Sequence, residues 1–335
     1  MRKVLWCFPL FLYPANINIY SMALFTFLFG PWISLYFAGN TLDFFALLLC
    51  TSAGALITFR AGLFNIGLDG QIYIGGLSAS VVILFLPDTF PAFFVLLIAA
   101  FAATASGFFM GGICGVLKKA AGASEIITTF LLSSALIPFV DYVINNFLRD
   151  DSGNLLSSRQ FLPNFILPHL FSTSNLSISF FIALSFPLIL FIFLNKTKSG
   201  YRFRIAGDSP QFALFGGIET DRYWVPALGL GGALGGLAGF FAVAGTYGQC
   251  YQGFTGGLGW AAIAVALISA GKPLMLIPAA LFYAWLKEGT ESVLLSRGVF
   301  FETSTLIQAL ILLLITVKVA RFHRCPKKEF RTTNT

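Results

Sequence analysis

The feature that most constrains this chain is a series of unbroken apolar runs, each about as long as a bilayer core is thick. A spanning helix needs about 20 mostly apolar residues. Such runs, punctuated by short polar stretches, fall at 19–38, 42–59, 71–86, 92–117, 125–147, 176–195, 223–245, 257–271, 273–287 and 303–320. Composition excludes a soluble reading of the same runs. Of the 335 residues, 57% are hydrophobic and only 10% charged, so a water-soluble globule of this size would lack ions to solvate its surface. The mean hydropathy of +0.83 agrees. Soluble enzymes, disordered chains and nucleic-acid-binding modules are thereby excluded. The runs are continuous rather than alternating, which excludes a β-barrel. The expected fold is all-α: one polytopic membrane domain over 1–335, with roughly ten spans, some of them broken or re-entrant. The runs at 257–271 and 273–287 are short and bounded by Pro and Gly, as half-helices are. Residues 4–38 read as an uncleaved first span with an interfacial lead-in, not as a removed signal.

Charge orients these spans. With the N-terminus in the cytoplasm, 17 of the 21 basic residues fall inside, and only Arg149, Arg159, Lys287 and Arg297 fall outside. That is the sign the positive-inside rule demands, and it places both termini in the cytoplasm. The net charge of +7 then reads as topology and contact with anionic lipid, not as affinity for nucleic acid.

Two long polar segments interrupt the runs, an external one at 148–175 and a cytoplasmic one at 196–222. The second opens on Lys196, Lys198, Arg202 and Arg204 and continues Ala206-Gly207-Asp208-Ser209-Pro210-Gln211-Phe212-Ala213-Leu214-Phe215-Gly216-Gly217. Asp208 or Ser209 suits a helix N-cap, Pro210 the first helical position, and Gly216 or Gly217 the stop. The spacing predicts a helix of about two turns with Phe212 and Phe215 on one face, and aromatic residues so exposed require a partner surface.

Polar residues also cluster between and within spans. Asn65, Asp69 and Gln71, set among Gly62, Gly67 and Gly70, breach the apolar sequence between the second and third runs. Ionisable groups and irregular backbone at that depth belong inside protein or along a cavity. Glu125, Thr128, Ser133, Ser134 and Asp141 punctuate the fifth run, and the spacing of Thr128, Ser134 and Asp141 approximates one helical stripe. All eight are candidates for lining a solute path, although Glu125 also suits a helix first turn. In the seventh run, Gly231, Gly235 and Gly239 recur every four residues, a spacing that lets helix backbones approach closely. The two histidines, His169 and His323, and the five scattered cysteines form no metal-binding pattern. The chain lacks GxxxxGK[ST], GxSxG and HExxH, so it carries no P-loop and no nucleophile or ligand set of a membrane enzyme.

With these segments identified, a family resemblance is plain. Gly62-Leu63-Phe64-Asn65-Ile66-Gly67-Leu68-Asp69-Gly70-Gln71 resembles the GLFNIGxEGQ segment of bacterial ABC importer permeases for simple sugars, nucleosides, branched-chain amino acids and riboflavin. Gly122-Ala123-Ser124-Glu125-Ile126-Ile127-Thr128-Thr129 is similar to that family's GxNEVIxT, and residues 200–213 to its GxxxRAxGxNPxAA. The three occur in order over roughly 40–320, nearest to the nucleoside and sugar branch. Asp69 stands where Glu is usual and Ser124 where Asn is usual. Phe130-Leu131-Leu132-Ser133-Ser134 replaces a Met-Leu-Asn-Tyr run, which leaves riboflavin beside nucleosides as the expected solute.

The resemblance implies a multi-pass subunit of the bacterial cytoplasmic membrane that binds no cofactor itself. ATP and Mg would reside on partner ATPase subunits. A second permease, identical or homologous, and a periplasmic or lipid-anchored solute-binding protein would complete the assembly. Gly207, Asp208, Pro210, Phe212, Phe215 and Gly217 would form the coupling helix that docks on the ATPase. Against this stand the same kind of permease serving a simple sugar or a branched-chain amino acid, and an ion-coupled secondary transporter, which would require paired ionisable residues deep in broken spans.

Overall fold

The computed structural model describes residues 17–297, apart from 88 and 151–154. The expected span at 303–320 and the lead-in before residue 17 lie outside the described residues. Among the described residues the chain is nearly all helical, with three isolated β-bridges and no strand. Six helical segments are long and apolar enough to cross a membrane. They are α2 (Leu35–Arg60), α3 (Leu68–Phe85), α4 (Ala92–Ala121), α5 (Glu125–Val143) with its π-helical extension to Leu148, α6 (Ser179–Lys196), and α9 (Trp224–Phe241) with flanking turns from Asp221 to Tyr247.

Several boundaries differ from the expectation, each for a local reason. The first run does not continue to residue 38. It breaks at Ser34, whose extended backbone ends α1 (Ile17–Ile33) and whose hydroxyl accepts the Phe37 N–H as the cap of α2. Residues 39–41, which fell between the first two expected spans, are therefore helical. The breach between α2 and α3 is shorter than the polar cluster, since only 61–67 leave helical geometry and Asp69 and Gln71 occupy the first turn of α3. The run at 257–271 yields α10 (Leu258–Ile268), only 11 residues long, and the run at 273–287 splits into a 3-10 turn at Pro273–Met275 and the first half of α11 (Leu276–Arg297), which continues beyond it. The polar segment 196–222 holds two helices, α7 (Lys198–Asp208) and α8 (Pro210–Phe215).

α2, α3 and α9 are largely buried, whereas α4, α5 and α6 turn most of their surface outward. α9 packs against α2, α3 and α4. Apolar burial does not drive helices together in lipid, so close backbone packing must. Small residues supply it: a Cβ on Gly232 would overlap the Gly107 carbonyl, and one on Gly239 the Ile72 carbonyl. Gly231 lies against Thr58 and Gly54, and Gly235 is in ordinary contact with Leu68, Gln71 and Ile72.

The segment 148–175 is laced onto the end of α9. Ser158 N–H donates to the Cys250 carbonyl (2.8 Å), Phe161 N–H to Gly248 (2.8 Å) and Leu167 N–H to Ala244 (2.8 Å). Ala244 lies in the π-helical turn at Ala242–Tyr247, Gly248 and Cys250 lie just after it, and Phe161, Phe165 and Leu167 are buried.

Candidate functional site

The breach 61–67 is a junction where four elements meet. Asn65 and Gln71 are buried and pair amide to amide: Asn65 Nδ2 donates to Gln71 Oε1 (2.8 Å), and Asn65 Oδ1 accepts the Gly67 N–H (3.0 Å). This closes the turn that starts α3. The turn is then fastened to α5, because Ile66 N–H donates to Thr129 Oγ1 (3.2 Å) and Gly70 N–H to Ser133 Oγ (2.8 Å). Asp69, also buried, accepts the Gly259 N–H at 2.8 Å and so holds the first turn of α10.

The polar segment 196–222 sits on the same junction. Arg60 and Asp208 form an ion pair at 3.5 Å, and Gly207 packs directly on the backbone of Arg60, Ala61 and Gly62. Gly62 adopts φ +73°, a conformation that glycine takes without strain. From this seat α8 projects outward. Its Ala213 is buried, while Phe212, Leu214 and Phe215 are exposed, Phe215 at 93% of its surface. Gly216 ends the helix and Gly217, at φ +71°, turns the chain away. Pro210 occupies the first helical position. A hollow of about 340 Å³ lies beside α8, lined by Tyr201, Arg202, Glu219 and Arg222.

The residues along α5 separate into distinct environments. Glu125 Oε2 accepts from Lys118 Nζ at 2.6 Å, and the same ammonium lies 4.9 Å from the Trp224 ring centre, tying α4, α5 and α9 together. Thr128 is half-buried and bonds back to its own helix, Ser133 is buried, and Ser134 is exposed. Asp141 is half-buried near the other end of α5. Tyr73 Oη donates to Asp141 Oδ1, Gln252 Nε2 donates to Asp141 Oδ2 (3.2 Å), and Gly253 N–H donates to Tyr73 Oη (2.6 Å). A single carboxylate thereby joins α5, α3 and the segment 248–257. Thus Asn65, Asp69, Gln71 and Ser133 meet at the junction, Asp141 belongs to a separate latch, and Glu125 pairs across to α4.

Sequence reasoning did not single out Tyr73, Gln252, Arg60 or Asp43. Tyr73 and Asp43 lie within apolar runs, and a polar residue in such a run was the only signal available. Among the described residues, no three His, Cys, Asp or Glu side chains converge as a metal would require.

Membrane-length helices around a glycine-packed centre, a buried polar junction and an exposed aromatic helix seated on it are the build of a multi-pass membrane protein. The chain belongs to the branched-chain amino acid transport system / permease component family, whose model matches residues 37–316. It is similar to a probable riboflavin import permease protein of Treponema pallidum, 36% identical over 274 residues, which cover 81% of this chain and 72% of that protein. It is also similar to a nucleoside ABC transporter permease protein of Lactococcus lactis subsp. cremoris, 29% identical over 87% of this chain and 82% of the other. A guanosine ABC transporter permease protein of Bacillus subtilis is 28% identical over 87% of this chain and 84% of its own length. No solved structure matches the chain significantly.

Proposed function

We propose that this chain is the membrane-spanning subunit of an ATP-driven importer in a bacterial cytoplasmic membrane, and that its solute is riboflavin. The observation that carries the solute is the 36% identity to the probable riboflavin import permease protein, against 29% and 28% for the nucleoside and guanosine permeases. The scarcity of ions along the apolar helices supports a neutral, ring-bearing solute. A nucleoside is the second reading, favoured by those two relatives.

In this reading α8 docks in a groove of a partner ATPase, which carries the ATP and Mg. Two permease subunits and a solute-binding protein complete the assembly. ATP-driven movement of α8 would pass through Gly207 and the Arg60–Asp208 pair to the junction, and from there to α5 through Thr129 and Ser133 and to α10 through Asp69. Asn65 and Gln71 keep the junction stiff. Thr128, Ser134 and Asp141, with side chains nearer the bundle surface, face the solute path. The chain performs no chemistry, and its work is differential stabilisation of inward- and outward-open states.

Reconstitution with the partner ATPase and binding protein tests the proposal. Riboflavin uptake should require ATP and persist with ionophores present, and excess guanosine should leave it intact. Guanosine uptake without riboflavin uptake supports the second reading, and uptake without any ATPase subunit excludes both. Phe215→Asp places a charge on the most exposed ring of α8. It should reduce ATPase co-purification by about tenfold or more, as loss of a buried aromatic anchor does, while membrane insertion stays normal.

A further inference from the structure

At the end of α2 remote from Arg60, a second polar site has no part in the junction or the latch. A pocket of about 260 Å³ is formed by α2, the π-helical turn after α9, and α11. Asp43 forms one wall and is only 3% exposed. Its Oδ2 accepts from Thr246 Oγ1 at 2.7 Å, but its Oδ1 is buried without any hydrogen-bond partner. Glu288, 5% exposed, and Glu291 form the opposite wall, and both pair with Lys287, at 3.6 and 2.6 Å. The Lys287 ammonium also lies 4.5 Å from the Phe44 ring centre. Tyr36 and Asn175 stand exposed among the lining residues.

Three carboxylates thus face one ammonium, and two of them are buried. An ionised carboxylate removed from water without a partner is costly. Protonation of Asp43 on Oδ2, with the Thr246 hydroxyl accepting, would still leave Oδ1 an acceptor without a donor. What the atom lacks is a donor, and the excess of carboxylates over the one ammonium favours a cationic one. The described residues offer no set of three ligands converging on one point, which disfavours a dehydrated metal ion. Carboxylates spread over two walls, with the rings of Phe44 and Tyr247 in the same lining, suit an extended organic cation. Lys287 shows that the Phe44 wall already accepts an ammonium group.

We propose that this pocket binds the ammonium or guanidinium group of a small organic cation, with Asp43 Oδ1 and the Glu288 carboxylate as its principal acceptors. The site is distinct from the solute path, and bound cation would brace α2, α9 and α11 against one another.

Calorimetric titration of the full-length protein in detergent, with n-propylammonium and methylguanidinium chloride as probes, tests it. Sodium and magnesium chloride at matched ionic strength serve as comparison. The organic cations should bind saturably and the inorganic ones should not. Asp43→Asn keeps an acceptor for Thr246 and nearly the same shape, and should weaken binding at least tenfold. Should that variant fail to fold, Glu288→Gln and Lys287→Met carry the test. The first should weaken binding, and the second, by removing the competing ammonium, should strengthen it several-fold. Absence of saturable binding, equal affinity for sodium or magnesium, or affinities unmoved by these substitutions would overturn the proposal.

Discussion

Gly207 shows how one position can join the polar segment 196–222 to the helix bundle. A Cβ there would meet the Arg60 carbonyl, the Ala61 carbonyl carbon and the Gly62 nitrogen, all of them backbone atoms that cannot swing aside. Gly216, eleven-residue α7 and short α8 notwithstanding, is a nearby contrast, since a Cβ there would find only ordinary contacts of 3.4 and 3.6 Å at φ −82°. Gly207→Ala should therefore cost about 1–3 kcal/mol, the usual penalty for forcing atoms into a filled space. Gly216→Ala should be nearly silent. Thermal melting of the two variants in detergent checks the difference, and equal melting temperatures would show that the Gly207 contact is not rigid. Both glycines were visible in the sequence as punctuation of the same loop. Their different roles were not, because the backbone that crowds Gly207 comes from residues about 150 positions earlier in the chain. The same distance hid the Arg60–Asp208 pair. Asn65 and Gln71 were legible as a polar cluster because they lie close in sequence, though as path candidates rather than as a buried amide pair.

At the scale of elements, α5 is lightly held compared with α2 and α9. Its polar attachments to other elements lie at three levels: Glu125 on α4, Thr129 and Ser133 on the junction, and Asp141 at the far latch. A helix pinned mainly near its two ends, with most of its surface turned outward, can tilt when the far pin is released. Asp141→Ala removes the acceptor for both Tyr73 and Gln252, and a hydrogen bond to a charged group is worth about 1.5–3 kcal/mol. Releasing it should shift the balance of open and closed states by roughly tenfold or more. The expected result is ATP hydrolysis in the reconstituted importer that no longer depends on the binding protein, with reduced uptake and normal insertion. Amide exchange should quicken in the outer half of α5 and in 248–257, and Tyr73→Phe should act in the same direction. Unchanged exchange and uptake in both variants would make Asp141 a surface residue with no gating part. Periodicity and punctuation revealed most of these elements, because helix stops are local. The break at Ser34 escaped because the apolar run continues across it. The lacing of 148–175 onto the π-helical turn escaped because it is made by backbone groups, which leave no residue pattern.

For the whole molecule, the arrangement of its two ends bears on orientation. Arg60, Gly207 and α8 share one end of the bundle. Asp43, the latch and the laced segment 148–175 lie toward the other, since about 25 Å of helix separates Asp43 from Arg60 at 1.5 Å per residue. The asymmetry of basic residues predicts that the α8 end faces the cytoplasm. Phe215 and Leu170 are both exposed and lie in the two segments so assigned, which makes them reporters of sidedness. The native thiols interfere little: Cys50, Cys114 and Cys250 are buried, and burial pushes the Cys250 thiol up to about 12, where almost none is thiolate at neutral pH. With Cys7 and Cys325 replaced by Ser, a membrane-impermeant maleimide should label Leu170→Cys in intact spheroplasts. It should label Phe215→Cys only after the membrane is opened. The reverse pattern would invert the topology and remove α8 from reach of a cytoplasmic ATPase. Labelling of both from outside would mean that α8 is not sequestered by the membrane at all, and the docking role would fall while the family assignment stood. Labelling in the expected pattern would place the acidic pocket at Asp43 on the outer side, facing whatever small cations the cell surface encounters.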